Sequence, residues 1–367
     1  MLNTTILSLN VLSLMSASPF YTLYHTHQGM LRSTFTNSHF SRSFTSVIVS
    51  YTYKHHTHLH NNVFSHTLNS AIMFTNDESV TGQCTLIENE DFIKGSQIKD
   101  KNIYGDRFTD AFDRPIFNNE CGDIIITHCE FHNCHSDKEG GSLHIQQDCT
   151  VLIHNTIFSN SSSGSYFGGA AYIVKKKKTE DGKVDFIDEK LSQVDIQYCC
   201  FQDCYGTTEN LYGVALLIAG ENTILYYAST VNCPGVNTGR SISHGAQFDI
   251  QSVNVTSQYV NATGGYSKYC AGMEYRDSTD GFFRFQTISD MTCTFSIAFT
   301  NITITLDLSN SNIFNITLHR LTEDDGQPFS GLIHVRQSDS IKLEEFCFVN
   351  ISFNEENKDN SRIISKG

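Results

Sequence analysis

An apolar residue, usually phenylalanine, then an asparagine, then a glycine ahead of a short apolar run recur in that order through most of this 367-residue chain. Aligned on the apolar residue, the units fall at Phe35, Phe64, Phe92, Phe131, Phe158, Phe201, Val231, Val260, Ile288, Phe314 and Phe348, at separations of 29, 28, 39, 27, 43, 30, 29, 28, 26 and 34 residues. A period near 28 is too short for a domain and long enough for one supersecondary unit, so such units bury their apolar faces only by stacking on each other. The two longest intervals contain polar insertions near residues 93–106 and 174–190, which a stacked array would expel as side loops.

Inside the unit the positions agree column by column. Ile124, Val151 and Val194 share one position; Ile126, Ile153 and Ile196 the next but one; then come Cys129, Thr156 and Cys199, then Phe131, Phe158 and Phe201, then Cys134, Ser161 and Cys204. Ile341, Leu343, Phe346, Phe348 and Ile351 repeat the pattern. Alternation within each group predicts strands with one buried face, and the extra residue between Ile126 and Cys129 predicts a bend between two of them. The corner two residues after the phenylalanine holds Asn37, Asn133, Asn160, Asp203 or Asn350, with Asn232 and Asn261 assigned there after a one-residue deletion. Asparagine accepts left-handed backbone angles, and stacked copies can bond one another. A glycine then precedes a third strand at Gly141, Gly169, Gly213, Gly245, Gly272 and Gly331, where a Cβ would obstruct a turn or a close approach. Three short strands and their turns in each period predict an all-β fold: a right-handed parallel β-helix of about eleven coils with side-loop insertions, its hand taken from the general crossover preference. An antiparallel sandwich also spaces short strands regularly, but has no reason to repeat Phe, Asn and Gly in one order.

The β-helix is expected over residues 19–353, with residues 354–367 as a polar C-terminal tail. Residues 1–18 read either as a secretory leader or as an N-terminal strand or cap. Absence of Trp, only 4 Pro and 26 Phe agree with strands joined by polar turns. A formal charge of −14 argues against nucleic acid or an anionic membrane as partner. The lysine run at residues 175–178 is followed by Glu180 and Asp181 and reads as a solvated loop. No stretch of 18 apolar residues occurs, so no membrane span is expected. Twelve cysteines and N-x-S/T matches at Asn160, Asn254, Asn261, Asn301, Asn315 and Asn350 are compatible with secretion.

The tetrapeptides FHNC (from Phe131), FSNS (from Phe158) and FQDC (from Phe201), with GGSL (from Gly140) and GGAA (from Gly168), resemble the polymorphic membrane protein type of repeat, which alternates GGAI with FxxN. The chain is similar in particular to the trichomonad right-handed β-helix surface proteins, whose units read CxFxNC followed by GGAIYI. The likeness is strongest over residues 124–220, and the asparagine here sits at FxN rather than FxxN. It implies a cell-surface or secreted protein connected with adhesion, with an extracellular protein or glycan ligand, no catalytic residue and no cofactor.

Candidate chemistry is sparse. The stretch HCEFHNCHSDKEGGSLHI, residues 128–145, is rich enough in Cys and His to suggest metal, yet Cys129 and Cys134 share columns with Thr156 and Ser161, which marks them as small core residues, with disulfides between neighbouring columns left open. No metal site is expected; the nearest candidates are His56, His58 and His60, which alternate outward along one strand if Thr57 and Leu59 point inward, and which as a solvated row would also respond to pH. The alternative to a binding protein is a β-helix polysaccharide lyase or glycoside hydrolase, which needs converging acids. QDC occurs at residues 147–149 and 202–204, but Asp203 has the corner to fill, and Glu323, Asp324 and Asp325 read as a turn. Asn160, Asn261 and Asn350, placed at the corner with inward amides, are expected to be poor glycan acceptors beside Asn254, Asn301 and Asn315. The resulting expectation is a monomeric, non-enzymatic solenoid that works by binding.

Overall fold

The computed structural model describes residues 2–12, 19–23, 31–43, 45–50, 55–75, 122–146, 149–164, 167–174, 177–178, 184–185, 191–206, 213–234, 246–267, 270–293, 296–319, 331–336, 340–354 and 362–366. These residues form strands and turns throughout, and the strands pair in parallel except at one place. An eleven-stranded parallel sheet runs through Asn10–Val11, His39–Ser43, Val63–Thr67, Glu130–His132, Ile157–Ser159, Cys200–Gln202, Ser229–Val231, Asn261–Ser267, Thr287–Cys293, Asn312–His319 and Cys347–Asn354. An eighteen-stranded sheet carries the strands before and after it in each winding, and a small three-stranded sheet joins His135–Ser136, Ser162–Ser163 and Tyr205–Gly206. Each strand bonds its counterpart one winding away, the arrangement of a parallel β-solenoid.

Register shows why the sequence repeats. Ile126 pairs with Ile153 and Ile153 with Ile196, while Phe131 pairs with Phe158 and Phe158 with Phe201. The phenylalanines are fully buried and stacked face to face, with ring centroids 4.8 Å apart in both pairs. Since parallel strands lie about 4.8 Å apart, identical inward rings meet at van der Waals contact without leaving their rotamers. The stack extends to Phe64, 5.0 Å from Phe131, and then to Phe40. Beyond Phe201 the same position is filled by Thr230, Ala262, Ile288, Ile313 and, half-buried at the far end, Phe348.

This register corrects several anchors. Phe40, not Phe35, occupies the column; Phe35 lies one strand earlier, paired with Leu59. Thr230, Ala262 and Ile313 replace Val231, Val260 and Phe314, because Val231 and Phe314 alternate to the outward side and Val260 is the inward residue before the strand. Phe64 contacts Phe131 directly, so Phe92, which lies outside the described residues, has no place between them. The insertion is thus larger than residues 93–106: the whole span 76–121 connects consecutive windings. Between Val174 and Leu191, the one antiparallel pairing, Lys177–Lys178 with Val184–Asp185, makes a small hairpin. Within the segment read as a polar tail, Arg362–Lys366 is a further strand, paired with Gly331–Arg336. At the other terminus Leu2–Leu7 pairs with Leu31–Thr36.

Each winding turns two corners on left-handed residues. The first corner uses Ser8, Asn37, Asn61, His128, Asn155, Tyr198, Tyr227, Tyr259, Phe285, Asn310 and Glu345, all with φ between 50° and 54°. The second uses Arg42, His66, Asn133, Asn160, Asp203, Asn232, Gly264, Asp290, Asn315 and Asn350. Asn37 therefore belongs to the first corner and not with Asn133, and Asn261 belongs to a strand. The glycines also divide: Gly140, Gly168 and Gly213 take positive φ before the third strand, whereas Gly141 and Gly169 follow without it, and a Cβ on either would strike main-chain oxygens of the adjacent winding. Gly213 is thus one residue out of the column of Gly141 and Gly169, where Val214 and then Ala246 continue. Gly331 opens a strand, and Gly245 lies outside the described residues.

Candidate functional site

The strand His55–His60 lies between Leu31–Thr36 and Gly122–Thr127. Thr57 and Leu59 are buried inward, leaving His56, His58 and His60 half-buried on the outer face. His58 and His60 have tilted rings with centroids 6.3 Å apart, and His56 and His60 are also engaged from the next winding. The Asp123 amide donates to His56 Nδ1 at 3.2 Å, His60 Nδ1 lies 2.9 Å from Thr127 Oγ1, and the His60 ring meets that of His128 edge-on at 5.2 Å. Burial, then the neighbouring His60 and Arg32, lower the pKa of His58; burial, His60 and His154 do the same for His128. Among the described residues no three His, Cys, Asp or Glu side chains are grouped to hold a metal ion.

The densest chemistry lies one winding on, in residues 128–164. His132 Nδ1 is 2.5 Å from Ser159 Oγ while its Nε2 is 3.1 Å from Glu130 Oε2. His135 repeats the device, with Nδ1 2.7 Å from Ser162 Oγ and Nε2 3.4 Å from Asp137 Oδ1. His144, almost fully buried, bonds the Glu139 carbonyl and Gln146, and His154 lies 3.6 Å from Asp195. Serine, imidazole and carboxylate in that order are the parts of a nucleophilic relay. The relay also needs donors aimed at a developing oxyanion, and the adjacent amides of Asn160 and Ser162 are committed to the Gln202 and Cys134 carbonyls. The arrangement as it stands cross-links windings: each serine comes from the coil after its histidine, 27 residues on. That 27-residue offset was visible in the repeat, and His132 with Ser159 could have been paired from it.

The nine cysteines whose side chains are described are free thiols. Cys129, Cys134, Cys199 and Cys204 line the interior columns, and the Cys204 amide donates to Cys233 Sγ at 3.4 Å. Burial pushes the Cys129 thiol up to about 12 and raises those of Cys134, Cys199 and Cys204, so they remain protonated packing groups and poor nucleophiles or metal ligands. A second buried polar group sits on the outer side of the large sheet, where Arg276 bonds Asp249 and approaches Glu274 Oε1 at 3.4 Å. Both carboxylates are fully buried, and the one guanidinium compensates part of their charge.

The corner amides face outward and bond along the axis, contrary to the inward orientation expected at Asn160 and Asn350. Asn160 Nδ2 donates to Asn133 Oδ1 at 2.5 Å, Asn350 to Asn315 and Asn315 to Asp290, both at 3.0 Å. Asn261 is exposed on its strand, and Asn254 is exposed and bonds Asn222. Geometry therefore does not separate the sequons as the inward-amide expectation did. Of the acids weighed for catalysis, Asp203 is a left-handed corner residue, and Asp148, Glu323, Asp324 and Asp325 lie outside the described residues. No family model matches the chain, and neither a curated protein nor a solved structure matches it.

Proposed function

We propose that this chain is the ligand-binding body of a cell-surface or secreted protein, a right-handed β-helix of about eleven coils that acts in adhesion and carries out no chemistry of its own. One observation carries the reading: side chains in the described windings are locked into files one strand spacing apart, so the outer faces are rigid, repetitive arrays suited to an extended partner. The resemblance to surface-exposed repeat proteins supports the location, and the charge of −14 favours partners other than nucleic acid. The partner would be an extracellular protein or glycan, bound by a monomer.

The test is a binding screen of the full chain against extracellular-matrix proteins and oligosaccharides, run beside incubations with pectins and glycosaminoglycans. Saturable binding with no release of reducing ends or unsaturated products is expected. Turnover of any of these polymers would replace this reading with the alternative of a β-helix lyase or hydrolase.

A further inference from the structure

The first corner changes character between Tyr198 and Phe285. Elsewhere it is made by Ser8, Asn37, Asn61, His128, Asn155, Asn310 and Glu345; here four consecutive windings place Tyr198, Tyr227, Tyr259 and Phe285 at φ of 51° to 54°. Bulky side chains at positive φ are costly, and outliers of this kind concentrate at functional sites. The four rings form one stack, with centroids 4.9, 4.5 and 4.6 Å apart and the last two pairs within 6° of parallel. Stacking offsets the backbone strain, at about 0.5–1.5 kcal/mol per pair. It does not account for the position, because the stack stands on the outside: Tyr227 is 40% exposed and Phe285 39%.

Tyr226 stands perpendicular to Tyr198, Tyr227 and Tyr259. Both faces of Tyr227 are already covered by its stacking partners, so Tyr226 lies across the ring edges, and its ring plane runs along the solenoid. Uncharged hydrogen-bonding residues border the strip. Gln197 and Gln258 occupy the register positions on either side of Tyr226, while Ser229, Asn261 and Thr287 line the strand beyond the corner. Arg284, whose guanidinium lies 4.2 Å over the Phe282 ring, is the one charge in these border positions. Burial and the neighbouring Tyr226 and Tyr227 push the Tyr198 hydroxyl up to about 12, so it remains a neutral donor.

We infer that this strip, Tyr198, Tyr226, Tyr227, Tyr259 and Phe285 with its amide and hydroxyl borders, binds a neutral oligosaccharide lying along the solenoid axis. The half-exposed ring of Tyr226, whose plane runs along the axis, takes the C–H face of a sugar, the edges of the stacked rings continue the apolar strip, and the tyrosine hydroxyls and flanking amides take the sugar hydroxyls. A lipid surface would find these polar borders unsatisfied, and a nucleic acid would find too little positive charge. The inference rests on the proposed ligand-binding role and names its ligand class.

The experiment uses the full chain and neutral tetra- to hexasaccharides of glucose, xylose, mannose, galactose and N-acetylglucosamine, read by calorimetry and by tyrosine fluorescence, which no Trp obscures. The test variant is Tyr227→Asn with Tyr259→Asn, since asparagine already serves this corner and is compatible with its backbone. Tyr205→Asn, which removes an exposed tyrosine elsewhere, is the control. At least one neutral series should bind, about tenfold or more weaker in the double variant and unchanged in the control. Equal affinity in the double variant and the parent overturns the site. Binding of acidic but not neutral glycans, or of a protein alone, overturns the ligand class and leaves the binding role standing. A double variant that loses its cooperative melting transition is replaced by Phe285→Asn, judged by the same criterion.

Discussion

The windings from Phe40 to Phe201 and those from Leu216 to His319 stack aromatic rings in opposite places. In the first set a phenylalanine file fills the interior, and the first corner is Asn or His as far as Asn155, with Tyr198 in the Phe201 winding where the two files overlap. In the second the interior position falls to Thr230, Ala262, Ile288 and Ile313, and the ring file stands outside at Tyr227, Tyr259 and Phe285. Strand spacing dictates both files, but only the inner one removes large apolar area from water on all sides. The inner file is therefore expected to hold the fold together, and the outer one to tolerate change in the fold while losing its ligand.

The strongest way to break this contrast is Phe158→Ala. It opens a cavity between Phe131 and Phe201 and should cost about 3–5 kcal/mol in denaturant unfolding. A value under about 1 kcal/mol would show that the inner file is not the structural one. Next comes the backbone on which both files depend: Gly168→Ala forces a Cβ onto the Ala171 carbonyl at φ of +59°, with an expected loss of about 1–3 kcal/mol by the same measurement.

Acid should then distinguish the two regions. His58, His66 and His128 have lowered pKa values in the folded chain, so between those values and 6.5 the unfolded state binds more protons. Their contribution therefore falls as pH drops below about 6.5 and is complete above it. Melting curves from pH 7.5 to 5 should show this loss, and His128→Asn, which keeps a corner-compatible residue, should flatten it. An unchanged slope would remove the histidine corner as its source. The smallest effect on stability is expected from Tyr227→Asn, where lost stacking and relieved strain offset each other to within about 1 kcal/mol. A loss as large as that from Phe158→Ala would make the outer file structural and erase the contrast.

How much of this was legible follows from the same physics. Between residues 122 and 206 the windings keep Ile or Val and then Phe at the inward strand positions, so the columns through Ile126 and Phe131 could be read from spacing alone. Further on, the inward position accepts Thr230, Ala262 or Ile288, because a solenoid core fills with whatever volume its neighbours leave, and the eye moves to outward residues such as Val231 and Phe314. At the start, Phe35 and Phe40 both face inward on successive strands, and composition cannot choose between them. Phe92 fitted the period by coincidence. The outer aromatic file escaped notice because sequence reasoning looks for Asn or Gly at left-handed corners, and tyrosine there breaks the rule. The histidine and serine contacts were missed because they join positions 27 residues apart whose side chains face outward, where no hydrophobic pattern marks them.

The central claim is that equivalent side chains of successive windings lie directly above one another, including across residues 76–121. Ser65 and His132 are register partners 67 positions apart in the chain, and neighbouring parallel strands place Cα atoms about 4.8 Å apart, within disulfide reach. The Ser65→Cys, His132→Cys protein should, on mild oxidation, give the 65–132 disulfide in peptide mapping, while Ser65→Cys with Gln202→Cys, three windings apart, should not. The 65–202 bond in place of the 65–132 bond, or neither bond in a folded protein, would contradict the stacked register.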